Sequence, residues 1–248
     1  MTQQQLAKAV LLSQSQLSGI ELGNKGTTTE QIRRLDTVLN TGGVLLRRWQ
    51  DMQRSDGYAE WFRGVVPLEQ ESTEIRAYQP LTVPGLLQTE NYARSLIRQG
   101  RPTASTDEID KQVQGRLQRQ AVLQADPGPR LLAVVEEHVL RRPIGGRAIM
   151  REQLDHLREV ATWSRVTVQI VPMNTEQHYG TDGAFLMFTV AGQGTIVYTE
   201  TRVSGTPLDS PTVVEDYTNV FAELRGVALP PRASQTLLTE IHQELHDD

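Results

Sequence analysis

Apolar positions in the first fifty residues recur at helical spacing in three short groups. Leu6, Ala7 and Val10 form the first, Leu17, Ile20 and Leu22 the second, and Ile32, Leu35, Val38 and Leu39 the third, which predicts three short amphipathic helices. Ser13 is placed to N-cap the second, and Gly23, just after Leu22, to stop it. Thr27, Thr28 or Thr29 caps the third, and Gly42-Gly43 ends it. Helical spacing continues over 44–70 through Leu45, Leu46, Trp49, Met52, Trp61, Phe62 and Val65, around a break near Asp56-Gly57. We read this aromatic stripe as core.

Beyond residue 70 the period changes. Ile75 to Tyr78 reads as a short strand. Pro80 and Pro84 then hold the chain extended, because each restricts the residue before it. A helix follows, capped near Thr89 and carrying Tyr92, Leu96 and Ile97, and a second runs from Asp107 to Gln124 until Asp126-Pro127-Gly128-Pro129 stops it. The continuous apolar run Arg130 to Val135 predicts a buried strand, with a short helical stretch over 136–142 after it. Pro143-Ile144-Gly145-Gly146 turns the chain into a helix from Arg147 to Thr162, and Val166 to Val171 is the next strand. Ala184 to Val190 and Thr195 to Thr199 predict a hairpin across Gly192-Gln193-Gly194, extended by Thr201 to Ser204. Helices over Pro211 to Arg225 and Ala233 to Leu245 complete the chain. The expected fold class is therefore α+β: a small all-α domain over 1–50, then a larger α+β domain with a small mixed sheet over 51–248.

Composition narrows the function. Among 248 residues there is no cysteine, which excludes a disulfide framework, a thiolate metal site and a cysteine nucleophile. The start, Met1-Thr2-Gln3-Gln4-Gln5, has no basic or apolar leader, and no apolar stretch approaches the ~20 residues of a membrane span. A soluble cytoplasmic protein with no membrane partner is expected. The net charge of −5 argues against wholesale coating of nucleic acid, yet it divides unevenly. Residues 1–50 hold 6 basic and 3 acidic side chains, leaving 19 and 27 for the rest, so the parts carry +3 and −8. Opposite signs suggest a nucleic-acid-facing module on an acidic body.

Three small helices joined by short turns match a helix-turn-helix core. The run Thr2-Gln3-x-x-Leu6-Ala7, followed by Ser13-x-x-x-Leu17-Ser18-x-Ile20-Glu21-x-Gly23, resembles the signature of Xre-type, lambda-repressor-like helix-turn-helix regulators. The resemblance implies a scaffold helix carrying Leu6 and Ala7 and a recognition helix from Ser13 to Leu22. Gln14, Ser15, Gln16 and Ser18 then point at base edges. The chemistry suits them, since a Gln amide pairs bidentately with adenine and Ser donates or accepts. Lys25, with the N-terminal amides of the third helix, would meet phosphate. The expected DNA contacts are Ser13, Gln14, Ser15, Gln16, Ser18 and Lys25, on operator half-sites read by a homodimer. The chain departs from the pattern in three ways. Family members usually carry a further helix before the Thr-Gln pair, so either the start is misassigned, the chain is trimmed, or something else covers Leu6 and Val10. Gly19 and Leu22 stand where relatives often have Arg or Lys, and Leu11 stands at the usual turn glycine. Each lost phosphate contact lowers affinity and salt slope, so modest binding is expected.

The body resembles the large C-terminal domain of unknown biochemical function, often called WhiJ-like, that is attached to Xre-type regulators in actinobacteria. The matching stretches are Tyr78-x-Pro80-x-x-Val83-Pro84-Gly85-Leu86-Leu87-Gln88-Thr89-Glu90-x-Tyr92-Ala93-Arg94, Leu140-Arg141-Arg142-Pro143-x-Gly145-Gly146, Met150-Arg151-x-Gln153-Leu154 and Val166-Thr167-Val168-Gln169-x-x-Pro172. The resemblance implies a small partner protein encoded by a neighbouring gene. The blocks around Pro84-Gly85 and Pro143-Gly146 both turn tightly. If they converge, Gln88, Thr89, Arg141, Arg142 and Arg147 are candidates for a ligand pocket or a partner-docking groove; the alternative is that they are packing corners.

Other chemistry is sparse. His242 and His246 lie one helical turn apart but lack the Glu that follows the first His in a zinc-protease helix, so no metal is expected. His178 to Gly183 can be drawn as an acid-base loop, although Gly and Asp are ordinary turn residues. Glu136, Glu137, Arg141 and Arg142 read as ion pairs at helical spacing. No phosphate loop follows a strand and no nucleophile elbow is present, so no cofactor and no catalytic residue are assigned. The leading reading is a DNA-binding transcriptional regulator whose body senses a small molecule or binds a partner protein. The alternatives are an interaction or antitoxin-like module with weak or no DNA binding and, further off, an enzyme.

Overall fold

A computed structural model describes residues 1–21, 27–46, 49, 64–202 and 204–245. The chain forms two compact units, Met1–Ser55 and Asp56–Asp248. The expectations for Leu22, Gly23, Lys25, Met52, the break at Asp56-Gly57, Trp61, Phe62 and His246 lie outside the described residues.

In the first unit, α1 spans Gln3–Ala9, α2 Gln14–Glu21 and α3 Thr29–Leu39. Each starts on a reciprocal capping pair. Thr2 caps with Gln5, Ser13 with Gln16 and Thr28 with Gln31: the hydroxyl takes one free amide of the first turn while the Gln carbonyl takes the amide of the cap residue. The third cap is thus Thr28 among the three threonines. Asn40, at φ 51, ends α3 two residues before Gly42. Ala7, Val10, Leu17, Ile32 and Leu35 form the core, and Leu45, Leu46 and Trp49 pack against it. Val10 is fully enclosed. Leu6 is partly buried against the same cluster. Asp36 clamps the segment that carries Leu45 and Leu46, its two carboxylate oxygens accepting from the amides of Gly43 at 2.6 Å and Leu46 at 2.9 Å. Leu11, in the turn between α1 and α2, sits at φ 58 with 76 % of its surface exposed, where an L side chain is strained and gains nothing by packing.

In the second unit the first described element is α4, Val65–Glu71, and the unit is organised by a mixed six-stranded sheet. Its strands are β1 Ser72–Gln79, β2 Arg130–Glu136, β3 Val166–Val171, β4 Phe185–Val190, β5 Gly194–Glu200 and β6 Gly205–Leu208, in spatial order β3-β2-β1-β4-β5-β6. The first three are parallel and the last three antiparallel. Connecting β1 to β2 are α5, Glu90–Gly100, and α6, Thr106–Gln120, each started by its own cap, Thr89 and Ser105. Then come α7, Glu137–Arg141, α8, Arg147–Val160, α9, Pro211–Val227, and α10, Pro231–Glu244. Residues from α5, α8 and α10 join one hydrophobic cluster with Ile75, Leu131, Ala133 and Val168, while α9 joins the other with Leu132, Val134, Met187 and Val197. The β2 run reads as continuously apolar because both faces of the sheet are covered.

Several boundaries shift from the sequence reading, β1 for one running Ser72–Gln79 instead of Ile75 to Tyr78, and three of the shifts have a visible cause. The predicted helix over 107–124 ends at Gln120 and tightens into a 3-10 turn over Ala121–Gln124. Glu136 is the last residue of β2, because its carboxylate accepts hydrogen bonds inside the fold. The last strand is Gly205–Leu208 instead of Thr201 to Ser204, since Thr201 and Ser204 bond each other and form the turn that feeds it.

Candidate functional site

The N-terminal end of α2 presents Ser13, Gln14, Ser15 and Gln16, all exposed, with Ser18 half-buried one turn on. The capping pair commits the Gln16 carbonyl to the Ser13 amide at 2.9 Å and leaves its NH2 outward. Ser13 and Ser15 hydroxyls meet at 3.2 Å. Gln14 donates from Nε2 to Gln3 Oε1 at 3.2 Å, and Gln3 in turn donates to Glu21 at 2.6 Å. Gln3, which the sequence reading did not single out, thus holds the Gln14 amide. No local pattern pairs it with Gln14; the contact follows from the packing of α1 against α2. An amide has one donor and one acceptor end, so a neighbour that holds one end sets which edge the other shows to a base. Among the described residues, both Arg33 and Arg34 pair with Glu30 on α3.

In the second unit, the Pro84 to Thr89 corner is held by two buried glutamines. Gln153 on α8 accepts from the Thr89 amide and donates to the Leu87 carbonyl, both at 2.8 Å. Gln88, 2 % exposed, donates from its side chain to the Val83 carbonyl at 2.6 Å, and its main-chain carbonyl accepts from the Gln120 side chain at 2.6 Å. The other block approaches the same region through α5. At Gly145, with φ 78, a Cβ would lie 2.5 Å from the Ser95 hydroxyl, so only glycine fits.

Beside the corner is a cavity of about 1090 Å³. The sheet contributes Ile75, Ala77, Leu131 and Leu186, the corner Pro84, Gly85 and Gln88, α5 Leu96 and Ile97, and α6 Gln112, Arg116 and Arg119. Two guanidiniums one turn apart on α6 have different fates. Arg119 forks onto Glu69 at 2.6 and 2.7 Å, a bidentate pair almost removed from water. Arg116 donates from Nη1 to the neutral Gln88 Oε1 at 2.7 Å, and among the described residues this is its only hydrogen bond. Arg116 lies deep among protein atoms yet keeps a part-exposed surface, as a side chain lining a cavity does. Burial, with the Arg119 charge second, pushes its cation down to about 10. Glu200, also on the lining, is open to solvent at its side chain but crowded by protein, and this desolvation holds its carboxyl above the ordinary value against the pull of Arg116 and Arg119.

Residues 1–46 match a family model described as helix-turn-helix, and residues 62–240 match one described as a domain of unknown function, DUF5753. The chain belongs to the DUF5753 family. No curated protein and no solved structure matches it. The helix-turn-helix match supports a DNA-binding regulator, and the DUF5753 domain carries no assigned function.

Of the five candidates in the DUF5753 domain, Gln88 lines the cavity, while Thr89 is spent as the cap of α5. Arg141 pairs with Glu137 at 2.7 Å and with Glu244, and its place is on α7. Arg142 lies close enough to Tyr92 for its charge to favour the phenolate, although burial dominates and raises that hydroxyl. Arg147 opens α8. None of Thr89, Arg141, Arg142 and Arg147 lines the cavity.

The His178 loop is a clasp on the sheet. His178 Nε2 lies 2.8 Å from Glu136 Oε1, which also accepts from the buried Tyr78 hydroxyl at 3.0 Å, and the Gly180 amide donates to Nδ1 at 3.1 Å. With Nδ1 accepting, the proton sits on Nε2 and both ring nitrogens are engaged. Burial first, and the Glu136 charge second, raise the Tyr78 hydroxyl far above its ordinary value. Glu136 therefore takes no part in the expected helical ion pairs; of those four residues, Glu137 and Arg141 form one. His242 Nε2 lies 3.0 Å from Asp155. Among the described residues no helix is long and apolar enough to cross a membrane.

Proposed function

We propose that this protein is a sequence-specific transcriptional regulator that reads operator half-sites as a homodimer through α2, and that its DUF5753 domain senses a small molecule. The observation that carries the DNA-binding part is the N-terminal end of α2, where exposed Ser13, Gln14, Ser15 and Gln16 are pre-set by the capping pair and by Gln3. Preset amides lose little freedom on binding and enter the major groove with one edge already chosen. Ser18 lies one turn further along, and Lys25 is proposed as a phosphate contact. The sensing part is supported by the 1090 Å³ cavity with its mixed apolar and charged lining. Such a regulator works in the cytoplasm, in keeping with the resemblance to the WhiJ-like proteins.

The test is fluorescence anisotropy with DNA from upstream of its own gene, on the wild type, Gln14→Ala and Gln16→Ala. Weaker binding in either variant with unchanged helical content supports the recognition helix; unchanged binding in both removes it. A second reading, an interaction module with little DNA affinity, is favoured by the pairing of Arg33 and Arg34 with Glu30, which reduces the charge free for phosphate. Its signature is co-purification with a small partner protein of the kind the resemblance implies and no salt-sensitive DNA affinity.

A further inference from the structure

The two arginines of α6 differ in a way that the stability of the fold does not require. Arg119 has a full counterion in Glu69, whereas Arg116, equally inward, is given the neutral carbonyl of Gln88. The Gln88 amide is itself held by its donor end on the Val83 carbonyl, which leaves its acceptor end on Arg116. The remaining donors of Arg116 have no hydrogen-bond partner among the described residues, and the side chain lines the cavity. Leaving a guanidinium deep in the protein with a neutral partner costs free energy that an arriving anion would offset. Glu200 and Glu69 also act on Arg116 through space, but neither bonds it. Next to Arg116 the lining turns apolar, with Ile75, Ala77, Leu131 and Leu186 on the sheet and Leu96 and Ile97 on α5.

We propose that this cavity binds an amphipathic carboxylic acid, its carboxylate on the Arg116 guanidinium and its apolar body against the sheet face and α5. The proposal rests on the reading of the DUF5753 domain as a sensor and names the class of molecule it senses. Arg116 has two glutamates nearby, which matches a monoanion better than a dianionic phosphate, which Glu200 would repel; of the other arginines on the lining, Arg119 is paired with Glu69 and Arg202 donates to the Gly100 carbonyl. A planar carboxylate also takes two parallel hydrogen bonds from a guanidinium. The volume, about 1090 Å³, lies at the upper end of small-molecule sites and accepts a body of many carbons.

The experiment is calorimetric titration of the full chain with dodecanoate and 4-phenylbutanoate, with dodecanol and dodecyl phosphate as comparators. One equivalent of at least one acid should bind, roughly tenfold or more tighter than dodecanol or the phosphate, and Arg116→Gln should weaken it by roughly 10- to 100-fold without changing dodecanol binding, as expected for one charge-assisted contact. A cavity-filling Leu186→Trp should remove acid binding with Arg116 still present, which keeps the test informative if Arg116→Gln fails to fold. Neither acid binding, an equal affinity for dodecanol, tighter binding of dodecyl phosphate, or full acid affinity in Arg116→Gln or Leu186→Trp would each overturn the site. Anisotropy with the upstream DNA separates the two readings. Acid binding that leaves DNA affinity unchanged overturns sensing and leaves the site standing; absence of acid binding overturns the site and leaves the DNA-binding reading untouched.

Discussion

The two units solve the problem of presenting polar groups in opposite ways. In the first, Ser13, Gln14, Ser15 and Gln16 stand in water on one turn of one helix, and the bonds that orient them come from within residues 3–21. In the second, the polar groups are drawn in from α4, the Pro84 corner, α6 and α8 and are held by buried glutamines and one buried ion pair. An exposed tip suits a large, rigid polyanion that brings its own shape. A lined cavity suits a small molecule that must be desolvated to bind. The energetic stakes differ accordingly: a mutation at Gln14, which lies outside the capping pair of α2, should cost affinity alone, whereas a mutation in the cavity wall puts folding at risk.

The contrast can be broken by substitution. The largest effect is expected for Glu69→Ala, which strands Arg119 away from water; loss of one member of a buried pair costs about 3–5 kcal/mol. In urea titrations the unfolding of the DUF5753 domain should move to lower denaturant while that of the helix-turn-helix unit stays in place. A shift below about 1 kcal/mol, the range of exposed pairs, would mean that the pair behaves as a surface one. Next is Gln14→Ala, expected to cost about 1–3 kcal/mol of DNA affinity as a lost bidentate base contact, with no change in the unfolding midpoint. Gln3→Ala should reproduce a fraction of that loss if its bond to Gln14 sets the amide; equal affinity of Gln3→Ala and wild type would argue that Gln14 orients itself.

Smaller still, and opposite in sign, is Leu11→Gly. Relieving a left-handed leucine that is 76 % exposed should stabilise the first unit by about 1 kcal/mol, read as a higher melting temperature. The last concerns pH. Burial alone would raise the Asp36 carboxyl, but the amides of Leu46, Gly43 and Leu45 outweigh it and hold it below 3.8. A carboxylate lowered on folding adds stability above its unfolded pKa, and that contribution disappears as pH falls through the folded value. Acid titration of the melting temperature should show the first unit losing stability below about pH 4, the ordinary Asp range, and Asp36→Asn should flatten this dependence.

Much of the architecture was readable from the chain because the controlling contacts are short in sequence. Ser13, Thr28, Thr89 and Ser105 each stop the preceding coil by bonding an amide three residues ahead, so α2, α3, α5 and α6 begin where a reader places them within a residue or so. The failures were also physical. Thr201 to Ser204 has the composition of a strand, but the mutual bond of its two hydroxyls makes a turn. Glu136 has the spacing of a surface ion pair, but Tyr78, 58 residues away, and His178 bond its carboxylate inside the fold. The arginines flagged beside Pro143 do not reach the cavity, and the one that does, Arg116, sits in an unremarkable stretch of a polar helix.

By itself, then, the sequence determined the split into a basic helical module and an acidic α+β body, the caps and stops of most elements, and the amide-rich tip of α2, all of which depend on neighbours within a few positions. Only the tertiary structure decided the strand order, the setting of Gln14 by Gln3, and which of two arginines on one helix keeps a neutral partner. The reason is distance along the chain. Glu69 and Arg119 lie 50 residues apart, Gln88 and Arg116 28 apart, and such pairings are settled by how the sheet and helices pack, which no local pattern records.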